Sequence, residues 1–412
     1  MIADSDYAKY LKYYGEIARK AIYSSEDYNL YVAIRKLSDI KEDPNAKISE
    51  IKEAENNLKN AIKSISYISE AAFLSRMNWW TVEYGLIGNQ ANPKIYGAGL
   101  LSSVGESENC LQPKVKKHLF NINCIKFRYD ITEQQPQLFV TPTFKKLTSE
   151  LKKLSKTMSY KIGGLHGLKA GLKANTLCTV EIDNLIQISG VISHFINTKD
   201  EINFIKMSGA CQISINNKQI PSHGINYHSN GYSTPIGNLK NYNKPIHKLN
   251  HSELTKLNII NNGRVNLNFN KNISLKGIIK KISKRNSQII MITLKKCSVK
   301  QNNKILFHED WGEFDLICGS KITSVYGGAA DKRNYYKHSN YDSNYQYNNA
   351  PSKEKNHKLN NYFKKIEIFK KNNDTKKLYT LYKRMKQDSI NDWLLKYQFL
   401  EATKCNRKIK WI

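Results

Sequence analysis

NWWTVEYGLIG, Asn78 to Gly88, sets one glutamate among two tryptophans, a tyrosine and branched apolar residues. An ionised carboxylate taken out of water without a partner is so costly that it neutralises, pairs with a cation or binds a metal. The first part of the chain is therefore to be read around Glu83. Upstream, the spacing from about Ser69 to Tyr84 predicts a helix that brings Trp79 and Glu83 onto one face at i and i+4. Downstream, glycines punctuate KIYGAGLLSSVGE, residues 94–106, predicting a tight loop whose small residues admit close backbone approach.

Working outward, apolar groups recur at helical spacing at Tyr10, Leu11, Tyr14, Ile17, Ala18 and Ala21, and again at Tyr28, Tyr31, Ile34 and Leu37. Two helices follow from this. Pro44 precedes a charged run that predicts an exposed helix from about Ile48 to Ile65. IKFRYDITEQQPQLFV alternates like a short strand or hairpin, and FKKLTSELKKLSKTM reads as an amphipathic closing helix, so a first, mainly helical unit spans 1–160. The period then changes. TLCTVEIDNLIQISGVI, INFIKMSGACQISINNK, RVNLNFNKNISLKGIIKKI, QIIMITLKKCSVK and KITSVYGG are β-branched runs parted by Gly, Asn and Ser turns, predicting a β-rich domain over 175–330. A polar Asn-, Tyr- and Lys-rich linker covers 331–356. Helical periodicity returns over 357–412, where Tyr362, Ile366, Leu378, Leu381, Trp393 and Leu394 suffice to pack a helical hairpin. The fold class is α+β multidomain: a mainly α-helical part, a β-rich domain and a helical tail.

A chain of 412 residues, 40% of them hydrophobic, can bury more than one core. No apolar run approaches the roughly 20 residues of a membrane span, and the first residues carry no cleavable leader, so a cytoplasmic protein is expected. The seven cysteines, at 110, 124, 178, 211, 297, 318 and 405, form no CxxC pair and read as reduced, mostly buried thiols. The formal charge of +30 invites a nucleic-acid partner. The excess is mostly Lys, however, runs through the whole chain and comes with heavy Asn and Ile usage, as an A/T-rich coding bias dictates. With no RNA-binding signature or zinc knuckle behind the charge, a nucleic-acid partner is not expected. YGAGLLSSVG lacks the Lys-Ser/Thr ending and flanking elements of a phosphate-binding loop.

WWTVEYGLIG, then KIYGAGLLSSVGE, then YDITEQQPQLFV at 129–140, resembles the C-terminal half of the catalytic domain of the pterin-dependent aromatic amino acid hydroxylases, above all the long bacterial phenylalanine 4-monooxygenases. IADSDYAKYLKYYGEIARKA, LYVAIRKLSDIKEDP, PSHGINYHSNGYSTPIG and WGEFDLICGSKITSVYGGAADK extend the likeness over about residues 1–335, the last two resembling that long form's extra C-terminal region. The resemblance implies an oxidoreductase that uses Fe(II), a tetrahydropterin and O2 to hydroxylate the ring of an aromatic amino acid. It makes Glu83 an iron ligand in a two-histidine, one-carboxylate arrangement. It also places Trp79, Tyr84 and Gly99 at the substrate pocket, and Ser102 and Ser103 where serines orient an iron histidine and the amino acid. The bland alternatives are a helix glutamate in an ion pair and serines that merely turn a Gly-rich loop. Asn78 stands where the animal enzymes carry a tyrosine, so that residue's role does not transfer.

The resemblance also implies an absence. The family's histidine pair, most of its pterin contacts and the arginine for the substrate carboxylate fall upstream of the aligned segment, and Met1 aligns inside the catalytic domain. One of three protein iron ligands leaves a fragment expected to be weakly active or inactive alone, or half of a split enzyme completed by a separate N-terminal chain. The alternative is a non-enzymatic basic interaction module, which has no need of Glu83 and its pocket. His223 and His228 in SHGINYH repeat the separation of the missing pair, but in a Gly-, Asn- and Ser-rich loop. They either meet a metal of their own or cap backbone groups in an ordered turn. His118, His166, His194, His247, His251, His308, His338 and His357 lack ligand spacing and are expected to be satisfied or exposed.

Overall fold

A computed structural model of the protein describes residues 3–129, 133–183, 185–338, 357–372 and 374–403. Helices come first, then sheets, then helices again, the α+β order that the periodicity implies. The chain forms two compact units, Met1–Ser339 and Asn340–Ile412.

The first unit opens on the helix Ser5–Ala18, whose Asp4 side chain accepts the free amides of Asp6 and Tyr7. Ser24 and Asp27 form a reciprocal capping box that starts the helix Ser25–Glu42, which packs on Ile48–Ser64 and buries none of its residues fully. Phe144–Lys156 turns Leu147, Leu151 and Leu154 inward at i, i+4 and i+7, where they meet Tyr10, Met77, Leu86, Leu100 and Leu138 in one core.

That core also holds a four-stranded sheet, which the helical reading of this part did not contain. Its order is Asn92–Ile95, Gly85–Asn89, Gln137–Thr141, Lys116–Leu119. QLFVT does form a strand, but it runs parallel to both of its neighbours and is not one arm of a hairpin. Asp130, Ile131 and Thr132 lie outside the described residues. The stretch 94–106 is likewise more than a loop: Ala98–Ser102 and Val104–Asn109 are short helices.

Residues 20–23 tie the helical part to the strands that follow. The Glu70 carboxylate accepts the Ile22 amide at 3.1 Å and the Ser159 amide at 2.6 Å. Gly327 N–H donates to the Lys20 carbonyl at 3.1 Å, and Thr176 Oγ1 donates to the Tyr23 carbonyl at 2.6 Å. Gly327 is needed there, because a Cβ would stand 2.3 Å from the Ala21 carbonyl oxygen.

Two sheets make up the β-rich region. One takes the order Ile322–Gly327, Leu177–Ile182, Ile186–Thr198, Glu201–Ile215, Lys218–Gln219, with Tyr232–Pro235 also on Glu201–Ile215. The other takes the order Arg264–Phe269, Ile273–Arg285, Gln288–Gln301, Lys304–Phe307, with Phe314–Ile317 also on Gln288–Gln301. Arg264–Phe269 alternates strictly between exposed and buried, the signature of a sheet with one wet face. Two strands are long, Glu201–Ile215 and Gln288–Gln301 with 15 and 14 residues, and their pairings shift register at several bulges.

The second unit has three described helices, His357–Lys371, Thr375–Gln387 and Trp393–Thr403, where a hairpin was expected. Its core joins Tyr362, Ile366, Leu378, Leu381, Tyr382 and Met385 with Leu395 and Phe399. Leu394 is exposed instead of packed, one position out of phase with Leu395. The Trp393 side chain and residues 339–356 of the expected linker lie outside the described residues.

Candidate functional site

The α-helix Glu70–Asn78 does not run on to Tyr84 as a regular helix. Trp79–Glu83 is a π turn, closed by the Tyr84 amide on the Trp79 carbonyl at 2.8 Å. The local cause is Thr81. Its hydroxyl donates at 2.6 Å to the Met77 carbonyl, the acceptor that its own amide would use in an α-helix, and shares a 2.8 Å bond with the buried Tyr10 hydroxyl. A side chain inserted into the ladder in this way widens the turn, and such single π turns recur at functional sites.

Glu83 ends the π turn. It is half-buried and makes no salt bridge or side-chain hydrogen bond among the described residues. Its charge is felt nearby: after burial, Glu83 raises the pKa of Tyr7, and burial, Glu106 and Glu83 raise that of Tyr84. Trp79 is sandwiched between Tyr84, at 4.5 Å between ring centroids and 21°, and Tyr129, at 4.3 Å and 10°. The Tyr129 hydroxyl is held by Ser75 Oγ at 2.9 Å. Trp80 points the other way into the core and donates its indole N–H to the Phe127 carbonyl.

Gly97 and Gly99 bring the next segment against this group. A Cβ on Gly97 would lie 2.4 Å from the Glu83 carbonyl oxygen, and one on Gly99 would lie 2.9 Å from Tyr84 Cε2 and 3.1 Å from that same carbonyl. Glu83, Trp79, Tyr84 and Gly99 are thus brought together. Ser102 and Ser103 lie on the following turns with their hydroxyls engaged by backbone. Ser102 Oγ donates to the Gly99 carbonyl at 3.0 Å, and Ser103 Oγ accepts the Glu106 amide at 3.3 Å as a helix cap. Sequence reasoning passed over Glu106, a buried carboxylate whose Oε2 has no hydrogen-bond partner and whose pKa burial raises. The Ser-x-x-Glu spacing of Ser103 and Glu106 was the available signal.

An iron centre of the two-histidine, one-carboxylate kind needs three donors on one face. Among the described residues no His, Cys, Asp or Glu pair joins Glu83 in a three-donor group, so the donors present around Glu83 do not by themselves fit that metal. The one such group described lies elsewhere. His223, His228 and Asp315 converge in the β-rich region, all buried. Asp315 was missed although it sits inside the apolar run EFDLI, the same signal that marked Glu83. Burial, and then the His223 charge, lower the His228 pKa to about 3, while burial raises that of Asp315. Of the histidines expected to be satisfied or exposed, His247 is bonded to the Cys318 backbone but leaves a buried Nδ1 without a partner, and His118 has a buried Nε2 without one. The six described cysteines are buried and form no disulfide. No helix among the described residues is long and apolar enough to cross a membrane.

Residues 62–166 match the family model of biopterin-dependent aromatic amino acid hydroxylases. Phenylalanine-4-hydroxylase of Dictyostelium discoideum is 39% identical over 83 residues, 20% of this chain and 19% of that protein. The Chromobacterium violaceum phenylalanine-4-hydroxylase is 42% identical over 76 residues, 18% of this chain and 26% of that one. Tyrosine 3-monooxygenase of Schistosoma mansoni is 37% identical over 84 residues, 20% of this chain and 18% of that protein. A crystal structure of the C. violaceum phenylalanine hydroxylase bound to cobalt aligns at 28% identity over 29% of this chain and 40% of that one, with a TM-score of 0.19. The chain thus spans about a fifth to a quarter of the length of these curated relatives. Within it, the segment that carries Glu83, its aromatic neighbours and the glycine-rich turns is the part that matches the biopterin-dependent aromatic amino acid hydroxylase family.

Proposed function

We propose that this chain supplies the carboxylate and the ring pocket of an aromatic amino acid hydroxylase of phenylalanine 4-monooxygenase type, and that it does not turn over alone. The carrying observation is a half-buried Glu83 without an ion-pair partner at the end of a π turn, beside the Tyr84–Trp79–Tyr129 stack. A carboxylate left without a partner beside three aromatic rings is open to a cation. In this reading Glu83 is one donor to Fe(II), and Trp79, Tyr84 and Gly99 form the aromatic surface beside it that suits an aromatic ring. Ser102 and Ser103 hold the turn that carries Gly99 in register with Glu83. A bound pterin and O2 would supply the oxidising chemistry, and this chain's residues would hold the geometry of that face.

The two remaining donors come, in this proposal, from a histidine-bearing segment brought to this face, since no described residues complete a three-donor group with Glu83. The helix pair Ser25–Glu42 and Ile48–Ser64 exposes Tyr28, Val32, Ile34, Ile48 and Ile62, an apolar surface of the kind that a docking partner covers. The test is tyrosine formation from phenylalanine with Fe(II), a tetrahydropterin and O2. The 412-residue chain alone should be silent. Mixing it with a chain that carries the family's histidine-bearing half should restore turnover, and Glu83→Gln should abolish it. Turnover by this chain alone, or turnover in the mixture that survives Glu83→Gln, defeats the reading.

A further inference from the structure

The β-rich region carries a donor cluster that the hydroxylase reading does not use. The loop Ser222–Gly231 is pinned to the strand Glu201–Ile215 at two points: the Ile213 amide donates to the His223 carbonyl at 2.9 Å, and the Cys211 amide to the His228 carbonyl at 3.0 Å. Both imidazoles are thereby aimed at the second sheet. There Asp315, on Phe314–Ile317, is fixed on both sides. Thr293 Oγ1 donates to Oδ1 at 2.6 Å, and the Tyr232 hydroxyl donates to its carbonyl at 2.5 Å.

Three donor atoms face one another across this junction. His223 Nδ1 lies 3.3 Å from His228 Nε2, and Asp315 Oδ2 lies 3.7 Å from the first and 4.0 Å from the second. A circle through the three atoms has a radius of about 2.1 Å, the length of a zinc–nitrogen or zinc–oxygen bond. A tetrahedral ion at that bond length wants edges of about 3.4 Å, so the two longer edges need to close by about 0.3 and 0.6 Å.

A second observation points the same way. Asp315 Oδ2 is buried and no donor meets it in good hydrogen-bond geometry, the Tyr227 hydroxyl being felt by the carboxyl only as a weaker contact. Were the cluster only a polar network, an imidazole N–H would approach that oxygen to within about 3 Å, as charge-assisted bonds do. It instead stands off at ligand-to-ligand distance from both rings. The Tyr227 and Tyr232 rings wall the cluster edge-on, with His228 at 4.7 and 5.2 Å between centroids. Lys281 is felt by His223 as an opposing charge, and Glu313, itself paired with Lys280, is felt by Asp315.

We propose that His223, His228 and Asp315 bind a first-row divalent transition ion, independently of Glu83, and that the ion fastens the 222–231 loop to the strand Phe314–Ile317. Two imidazoles and a carboxylate suit zinc or ferrous iron and disfavour calcium or magnesium, which prefer oxygen alone.

The full chain, stripped with a chelator and titrated with Zn(II), should take up one ion per chain and melt at a higher temperature when loaded. Cobalt(II) in its place should give the visible bands of low-symmetry nitrogen and oxygen coordination. Asp315→Asn preserves shape and the Thr293 contact, and His223→Gln lies on the loop, so at least one of the two folds. Losing a ligand must exceed the 10–100-fold cost of losing a supporting contact, so each variant should bind zinc at least about 100-fold more weakly. Glu83→Gln should bind it as tightly as the parent. Failure of the folded parent chain to bind zinc more tightly than about 10 µM overturns the proposal. So does zinc affinity unchanged in both cluster variants, or lost only in Glu83→Gln. None of these outcomes depends on hydroxylase activity.

Discussion

Replacing Gly97 by alanine tests how the Glu83 turn is held. Gly97 has φ −63° and ψ 135°, a conformation that alanine adopts freely, so any effect is steric. The added methyl would stand 2.4 Å from the Glu83 carbonyl oxygen and 2.5 Å from the Gly85 nitrogen, both backbone atoms that no rotamer change can move. Relief to a tolerable 3 Å requires the two segments to part by at least about 0.6 Å, which also stretches the 2.9 Å bond from the Gly97 amide to the Gly85 carbonyl. Overpacking of this kind costs about 1–3 kcal/mol, and two backbone clashes place it near 3. Alanine lowers the entropy of the unfolded chain by about 0.4–1 kcal/mol, which leaves a net loss of about 2–2.5. Gly99→Ala is the internal control. Its nearest neighbour is the Tyr84 ring edge at 2.9 Å, which can swing, so a net loss of under about 1 kcal/mol is expected. Urea unfolding followed by tryptophan fluorescence measures both, since Trp79 and Trp80 sit beside the perturbation. If Gly97→Ala unfolds within about 0.5 kcal/mol of the parent, or proves no less stable than Gly99→Ala, the account of the close approach is wrong.

Glu70→Ala strips the acceptor from the Ile22 and Ser159 amides, and urea unfolding should show a loss of about 2 kcal/mol, with Glu70→Gln losing less because it keeps one acceptor. Glu150 bears on pH. Burial raises its pKa, but Lys146 and Lys153, each at 2.7 Å, and the Ile122 amide outweigh that and hold it below the ordinary 4.5. A depressed folded pKa gives stability that is present above 4.5 and lost as pH falls through the folded value. The parent should therefore lose stability more steeply below pH 4.5 than Glu150→Gln in urea melts at stepped pH, and equal slopes would contradict the assignment.

The helices were legible where apolar spacing and caps agree. Asp4, Ser24 and the leucines of Phe144–Lys156 encode their elements locally, and the turns of the β-rich region announce themselves through Asn and Gly. What escaped depends on distant partners. The parallel pairing of Gly85–Asn89 with Gln137–Thr141 joins segments about fifty residues apart, which no local period reports. The π turn hangs on Tyr10 reaching Thr81 across 71 residues. At the candidate site, Glu83 and its aromatic neighbours stood out because a carboxylate in an apolar run violates the ordinary pattern. Asp315 violated it equally, yet its meaning emerged only when the fold carried His223 and His228 to it from another sheet.

The β-rich region begins and ends on adjacent strands. Leu177–Ile182 pairs antiparallel with Ile322–Gly327, and the Gly328 amide donates to the Leu177 carbonyl at 2.8 Å. Some 150 residues thus leave and rejoin the chain at a gap bridged by one hydrogen bond. A module with its two ends side by side can be spliced into a host, excised from it, or closed and reopened elsewhere as a circular permutant without stretching what remains. The ancestry of the strands can then differ from that of the helices before them, provided the ties at residues 20–23 are kept.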